Sequence, residues 1–108
     1  MFFKDLDKYK GCLIGGAIGD ALGYPIEFIR SFESIKTIYG EKGITRFKLS
    51  DGKAIISDDT QMTLYTAVGL IWGNTRQHLK GISPNPTQCI YLAYQDWYNT
   101  QVSDKNID

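Results

Sequence analysis

The chain has 108 residues, of which 43% are apolar, and its 12 basic side chains are balanced by 12 acidic ones. This length and composition are typical of one soluble globular domain at most. Because the Lys and Arg residues are scattered and the formal net charge is zero, the sequence lacks the basic patch typical of proteins that bind nucleic acid or anionic membranes.

The two cysteines, Cys12 and Cys89, form no C-x-x-C pair, and no secretory leader precedes them. We therefore expect a reduced, cytoplasmic setting. The apolar stretch 13–22 is too short for a membrane span and contains Asp20. The sequence accordingly predicts no membrane partner.

Apolar residues recur at helical spacing from Lys8 to Leu22, which predicts a first helix. Four glycines of this stretch and its end are spaced by four residues, which places them near one side of a helix: Gly11, Gly15, Gly19 and Gly23. Each interior glycine costs about 1 kcal/mol relative to alanine in a helix. We therefore expect another helix or a ligand to approach this side closely.

The segment Gly15 to Gly19 matches neither the dinucleotide-binding fingerprint nor the phosphate-binding loop, because no strand precedes it and no Gly-Lys-Ser/Thr follows. Asp20, the next residue, would also repel a phosphate. Helix packing is the better local explanation of the glycines. Asp20 would then need a hydrogen-bonding partner if it is buried.

Pro25 should end the first helix, because it lacks an amide hydrogen and disfavours helical geometry in the residue before it. Glu27 then lies on a turn between two large apolar residues. Helical spacing predicts a short second helix from Ser31 to about Tyr39. In the segment 44–56, the Asp51-Gly52 pair favours a turn, so this segment is either a small hairpin or an irregular loop.

Two further helices follow from apolar residues at helical spacing. The third is predicted from Gln61 to Trp72, because Gly73-Asn74 supplies a natural C-terminal stop. Residues 75–85 are predicted to be a connector, and a fourth helix is predicted from about Thr87 to Tyr98. The polar residues 100–108 are expected to be frayed. The predicted fold is all-α, with about four helices.

The segment Ser57-Asp58-Asp59-Thr60 precedes the third helix and has two interpretations. Ser, Asp and Thr are common N-cap residues, and negative charge suits the start of a helix. Two adjacent carboxylates also repel each other, which suggests a positive partner, and Mg2+ prefers oxygen ligands. Capping needs only one such residue, whereas Ser57, Asp58 and Asp59 together could supply three ligand oxygens. The spacing alone leaves both interpretations open.

Two motifs occur in a fixed order: GCLIGGAIGDALGYPIEF at positions 11–28 and ISDDTQM at positions 56–62. Together they resemble the opening of the ADP-ribosylglycohydrolase family, which includes the dinitrogenase reductase activating glycohydrolases. The resemblance runs from about Lys8 to Trp72. Two separate motifs in the right order are far more specific than either motif alone.

The resemblance implies an all-helical bundle with a magnesium centre, usually of two Mg2+ ions. Such an enzyme hydrolyses the glycosidic bond between ADP-ribose and a protein side chain or small acceptor. The family's first metal motif maps its ligands onto Ser57, Asp58 and Asp59, with serine in place of the commoner threonine. The glutamate on the family's flap over the ribose maps onto Glu27, as a catalytic residue that positions a hydroxyl or assists proton transfer. From the residues alone, Glu27 reads as a solvent-facing acid on a turn.

The family supplies its other metal ligands from an Asp-x-Asp motif near the C-terminus of a longer chain. The acids after Thr60 do not form this motif: they are Asp96, Asp104 and Asp108. We therefore expect residues 1–108 to be the N-terminal part of a single ADP-ribosylglycohydrolase-like domain, either a fragment, a truncated gene product or half of a split protein.

From this expectation it follows that the isolated chain should hydrolyse ADP-ribosylated substrates weakly or not at all. Self-association or a missing C-terminal half would cover the apolar faces left open. The alternatives are a catalytically inactive helical interaction module and an ADP-ribose-binding protein that retains part of the site. Arginine, serine and other acceptors are all compatible with the sequence.

Overall fold

The computed structural model of the chain describes residues 5–83 and 85–103. The elements follow one another as helix α1 (Leu6–Gly23), a 3-10 turn (Tyr24–Ile26), α2 (Phe32–Tyr39), strands β1 (Leu49–Ser50) and β2 (Lys53–Ala54), α3 (Asp58–Lys80) and α4 (Pro86–Ser103). The predicted all-α class is confirmed, with only a two-stranded hairpin added. Among the described residues, no helix has both the length and the apolar character needed to cross a membrane.

The chain forms two compact units, and the boundary between them lies in the first turn of α3. Unit 1 extends to Thr60, and unit 2 begins at Gln61. Unit 1 therefore contains α1, the 3-10 turn, α2, the hairpin and the start of α3. Unit 2 contains the rest of α3 and α4.

Helix α1 begins slightly earlier than predicted because Asp5 caps it. The Asp5 carboxylate accepts hydrogen bonds from the amides of Asp7 (3.0 Å) and Lys8 (3.3 Å). Such a cap satisfies two of the first amides of a helix, which otherwise lack partners. At its other end α1 passes directly into the 3-10 turn, and Pro25 occupies the start of that turn, where no amide donor is required.

The second helix and the hairpin agree with the sequence patterns. Ser31 caps α2 by accepting a hydrogen bond from the amide of Ser34 at 3.1 Å. The strands pair antiparallel, and the two residues between them are Asp51 (φ 50°) and Gly52 (φ 76°). Two positive φ angles in a two-residue loop match the type I′ hairpin turn, which explains the choice of Asp-Gly here.

Helix α3 continues through the predicted stop at Gly73-Asn74 and reaches Lys80. An interior glycine costs only about 1 kcal/mol, which is too little to end a helix whose following residues favour helical structure. The Arg76 guanidinium also lies 4.8 Å from the Trp72 ring centre, one turn away across the predicted stop. The helix ends at Gly81, which has φ 67° and donates its amide hydrogen to the carbonyl of Gln77 at 2.9 Å.

Helix α4 is longer than predicted at both ends. It begins at Pro86, and the side-chain oxygen of Asn85 caps it by accepting a hydrogen bond from the amide of Gln88 at 3.2 Å. Proline is favoured at the first helical position because its missing amide hydrogen is not needed there. The predicted fraying from residue 100 is wrong as far as Ser103, where α4 ends; residues 104–108 lie outside the described residues.

Within unit 2, α3 and α4 approach each other closely at Gly69. A Cβ atom placed on Gly69 would lie 2.9 Å from the carbonyl oxygen of Cys89 and 3.0 Å from the Cβ of Ala93. Cys89 and Ala93 are both buried. Only a residue without a side chain therefore fits at position 69, because the nearest obstacle is backbone.

Three side-chain hydrogen bonds in unit 2 join the same pair of helices, and the longest of them runs from Gln101 Nε2 to Gln61 Oε1 at 3.4 Å. Thr66 Oγ1 lies 2.7 Å from Tyr94 Oη, and the indole nitrogen of Trp97 donates to Gln61 Oε1 at 3.0 Å. Buried or half-buried hydroxyl and indole groups need such partners, and these contacts fix the register of the two helices.

The glycines of α1 do not have the close neighbour that their spacing predicts. Within the described part of unit 1, no atom lies within 4 Å of a Cβ placed on Gly11, Gly15, Gly19 or Gly23. The expected helix packing against this side is therefore absent from unit 1. A close approach between helices occurs instead at Gly69 in α3, a glycine that does not belong to the regularly spaced set of α1.

We predict that Gly69→Ala destabilises the chain although alanine is the better helix former. The new methyl group would press on the Cys89 carbonyl, and forced overpacking of this kind costs about 1–3 kcal/mol. The matched control is Gly15→Ala in α1, which gains up to about 1 kcal/mol because its Cβ meets nothing. Urea unfolding followed by circular dichroism measures both. A Gly69→Ala variant as stable as Gly15→Ala would contradict the prediction.

Candidate functional site

The centre of the candidate site is the carboxylate of Asp20, near the end of α1. Its Oδ1 accepts a hydrogen bond from the hydroxyl of Ser57 at 2.7 Å. Its Oδ2 accepts from the Ser57 amide at 2.7 Å, the Thr60 hydroxyl at 2.6 Å and the Thr60 amide at 3.3 Å. Ser57 and Thr60 are buried, with 8% and 6% of their surface exposed. One carboxylate thus holds the start of α3 against α1.

These contacts also decide the charge of Asp20. Burial alone would raise the pKa of this carboxyl, since it disfavours the charged form. The hydrogen bonds from the hydroxyls and amides of Thr60 and Ser57 outweigh that effect and hold the pKa of Asp20 below its ordinary value. Asp20 is therefore ionised at neutral pH, next to the positive end of the α3 dipole.

Helix α3 is capped by Ser57 and Asp20 together. Ser57 Oγ accepts a hydrogen bond from the amide of Asp59 at 3.1 Å, and the Asp20 carboxylate accepts one from the amide of Thr60 at 3.3 Å. The capping interpretation of Ser57 is therefore confirmed. The sequence analysis missed the capping role of Asp20; the only available signal was an acid in a stretch of glycine and apolar residues.

The twin aspartates differ from their neighbours in exposure. Asp58 and Asp59 are the first two residues of α3 and are both exposed, whereas Ser57 and Thr60 on either side are buried. Capping by Ser57 and Asp20 explains the hydroxyl before the pair. It does not explain why two carboxylates follow each other at the exposed first turn of α3.

A cavity of about 210 Å³ brings two of the predicted site residues together. Its lining consists of Gly19, Asp20, Gly23, Tyr24, Glu27 and Asp59. Glu27 directly follows the 3-10 turn, and its amide donates to the carbonyl of Tyr24 at 3.3 Å. Glu27 is exposed, as its predicted place on a turn requires. Ser57 and Asp58 are not among the lining residues.

The donor set of the Ser57-Asp58-Asp59 turn suits a hard cation. Two carboxylates and one hydroxyl offer oxygen ligands only, which Mg2+ prefers. In residues 5–83 and 85–103, His, Cys, Asp and Glu side chains form no group of three or more that could hold a metal ion. The fit of a metal at this turn therefore rests on the chemistry of its oxygens, which are two carboxylates and the hydroxyl of Ser57.

We predict that Asp20 makes the stability of the chain depend on pH. A carboxyl whose pKa is lowered by folding stabilises the protein above its unfolded pKa, which is about 3.9, and this stabilisation disappears as the pH falls through the folded value. Asp20→Asn should therefore destabilise the chain more at pH 7 than near pH 3. Urea unfolding of both proteins at the two pH values measures this. An equal difference at both would contradict the prediction.

Comparison with known proteins places these residues in a family. A stretch of 35 residues, 32% of this chain, is 49% identical to an uncharacterised protein of Archaeoglobus fulgidus, of which it covers 11%. No solved structure matches the chain. The family model for ADP-ribosylglycohydrolases matches residues 4–108, which supports a glycohydrolase type of function in general. The chain therefore belongs to the ADP-ribosylglycohydrolase family.

Proposed function

We propose that this chain carries metal-binding and catalytic groups of a Mg2+-dependent hydrolase. The bond cleaved is the glycosidic bond between ADP-ribose and a protein side chain or small acceptor. The observation that carries the proposal is the cavity shared by Glu27 and Asp59, which are 32 positions apart in the sequence. Family membership supports the reaction class, and the oxygen donors of the α3 turn support the choice of metal.

In this proposal Ser57, Asp58 and Asp59 hold Mg2+. When bound, Mg2+ supplies Lewis-acid chemistry that fixes ribose hydroxyls and stabilises charge on the departing group. Asp59 belongs both to the Ser57-Asp58-Asp59 turn, called the metal turn below, and to the lining of the cavity in which we place the substrate. Gly19 and Gly23 leave the α1 side of that space without side chains, so a sugar can approach the helix backbone.

Glu27 is the proposed catalytic residue. Its carboxylate lies at the cavity and is exposed, so it can reach a ribose hydroxyl or a water molecule. As a general base it would take a proton from water while the water oxygen bonds to the anomeric carbon. The acceptor would leave with the electrons of the broken glycosidic bond and would take a proton from solvent water. In its other candidate task, Glu27 positions a ribose hydroxyl by accepting its hydrogen bond.

We also propose that residues 1–108 alone turn over such substrates weakly or not at all. The acids after Thr60 do not form the Asp-x-Asp motif from which the family draws its other metal ligands. The matched stretch also covers only a small part of the Archaeoglobus relative. ADP-ribosyl-arginine and ADP-ribosyl-serine are the substrates to test, because the acceptor is not fixed by these residues.

A partner for the apolar surface and a cytoplasmic setting are part of the same proposal. Several large apolar side chains are exposed in both units, among them Phe28 (86%), Ile71 (65%) and Leu79 (78%). Exposed apolar area of this kind is commonly covered by further protein. Self-association or a second polypeptide would provide that cover.

The test is binding of Mg2+ and ADP-ribose to the chain by isothermal titration calorimetry. We expect Mg2+ to tighten ADP-ribose binding. Asp58→Asn or Asp59→Asn should abolish this tightening, because each removes a charged ligand oxygen from the turn. The matched control is Asp51→Asn, the same substitution in the hairpin turn, which should behave as the wild type because Asp51 lies between β1 and β2 and supplies no oxygen to the Ser57-Asp58-Asp59 turn.

Other outcomes would favour the alternatives. ADP-ribose binding that is indifferent to Mg2+ and to both substitutions would indicate an ADP-ribose-binding protein without a metal centre. If the chain binds neither Mg2+ nor ADP-ribose, the helical interaction module becomes the better interpretation. Robust hydrolysis by residues 1–108 would contradict the proposed low activity.

A further inference from the structure

We propose that Asp20 is a positioning residue for the metal turn. By accepting a hydrogen bond from the Ser57 hydroxyl, it orients this hydroxyl so that a lone pair of Ser57 Oγ is available as a ligand. The inference rests on the proposed function, because it assumes that Ser57 binds Mg2+. It adds a residue that the metal motif itself does not contain.

The first step is the hydrogen-bonding capacity of the Ser57 hydroxyl. A hydroxyl has one proton and two lone pairs. The proton is donated to Asp20 Oδ1 at 2.7 Å, and one lone pair accepts the amide hydrogen of Asp59 at 3.1 Å. One lone pair remains, and its direction is fixed by the other two contacts. A charged acceptor also makes the hydroxyl oxygen more electron-rich, which strengthens it as a ligand.

The second step concerns the aspartates themselves. Asp20 accepts hydrogen bonds from the amides of Ser57 and Thr60, the residues immediately before and after the Asp58-Asp59 pair, and both of these backbone contacts remain in Thr60→Val. The backbone of the pair is thus held at both ends while its side chains remain exposed. Ligands held in place before the ion arrives lose less conformational freedom on binding, so the site binds more tightly.

The third step is the effect of replacing Asp20 by asparagine. Asp20 Oδ2 accepts hydrogen bonds from three groups, so the single oxygen of Asn would be favoured at that position. The amide group would then lie at the position of Oδ1 and donate to Ser57 Oγ. The Ser57 proton would have to point elsewhere, and the lone pair that would otherwise bind the metal would accept the hydrogen bond from the Asn amide. Outer contacts of this kind typically change metal affinity about 10- to 100-fold.

A matched control exists in the same network. Thr60→Val removes the hydroxyl that donates to Asp20 at 2.6 Å but leaves both Ser57 contacts with Asp20 in place. Valine has nearly the shape of threonine, and position 60 is buried, so this variant reports the general loss of stability. It should leave the Mg2+ affinity within about twofold of the wild type, since the Ser57 hydroxyl is untouched.

The experiment is a calorimetric titration of the full chain with Mg2+ alone, accompanied by thermal unfolding of each variant without metal. We expect Asp20→Asn to weaken Mg2+ binding about tenfold or more, and Thr60→Val to lower the unfolding temperature without this loss. Wild-type affinity in Asp20→Asn would overturn the positioning role. An equal loss of affinity in Thr60→Val would overturn it as well, because the effect would then be one of stability.

Two further measurements keep the inference separate from the proposed function. If the wild type binds no Mg2+, or if Asp58→Asn and Asp59→Asn bind it unchanged, the proposed metal site fails. If those variants lose binding and Asp20→Asn does not, only the positioning role fails. Should Asp20→Asn fail to fold, Asp20→Glu serves instead: it keeps the charge but displaces the carboxylate, and wild-type Mg2+ affinity in that variant would overturn the inference.

Discussion

Unit 1 depends on the contact between the Asp20 carboxylate and the start of α3. A charged group removed from water is unfavourable unless hydrogen bonds replace those it loses. Asp20 receives two from hydroxyls and two from backbone amides, all supplied by Ser57 and Thr60. The same contact joins two helices, caps one of them and sets the position of the twin aspartates. Both the stability of unit 1 and the position of its candidate metal ligands therefore depend on the Asp20 carboxylate.

Unit 2 is held together in a different way. Its two helices meet at small residues, where Gly69 faces Cys89 and Ala93. Towards the start of α3, the hydroxyls of Thr66 and Tyr94 share a hydrogen bond, and the Trp97 indole donates one to Gln61. Close backbone approach brings many atoms into van der Waals contact without large buried side chains. Large apolar side chains such as Ile71 and Leu79 stay exposed in this unit.

The sequence predicted the class of fold and the existence of all four helices, because apolar spacing and caps are local signals. Helix ends were less predictable: Gly73 resembled a stop for α3, but its cost is small, and of Gly73 and Gly81 it is Gly81 that has the positive φ of a helix end. The regular glycines of α1 suggested packing that occurs instead at Gly69. The place of Glu27 beside Asp59 and the partners of Asp20 depend on contacts between distant segments, which no local pattern encodes.

The distance along the chain between Asp20 and Ser57 has a consequence for how the site forms. The contact spans 37 positions, so it can form only after the intervening loop has closed, and closing that loop costs chain entropy. A peptide containing only Ser57-Asp58-Asp59-Thr60, or the same four residues grafted onto another helix, would lack the anchoring carboxylate. The geometry of the tetrapeptide therefore depends on the tertiary structure around it, and its sequence alone does not produce it.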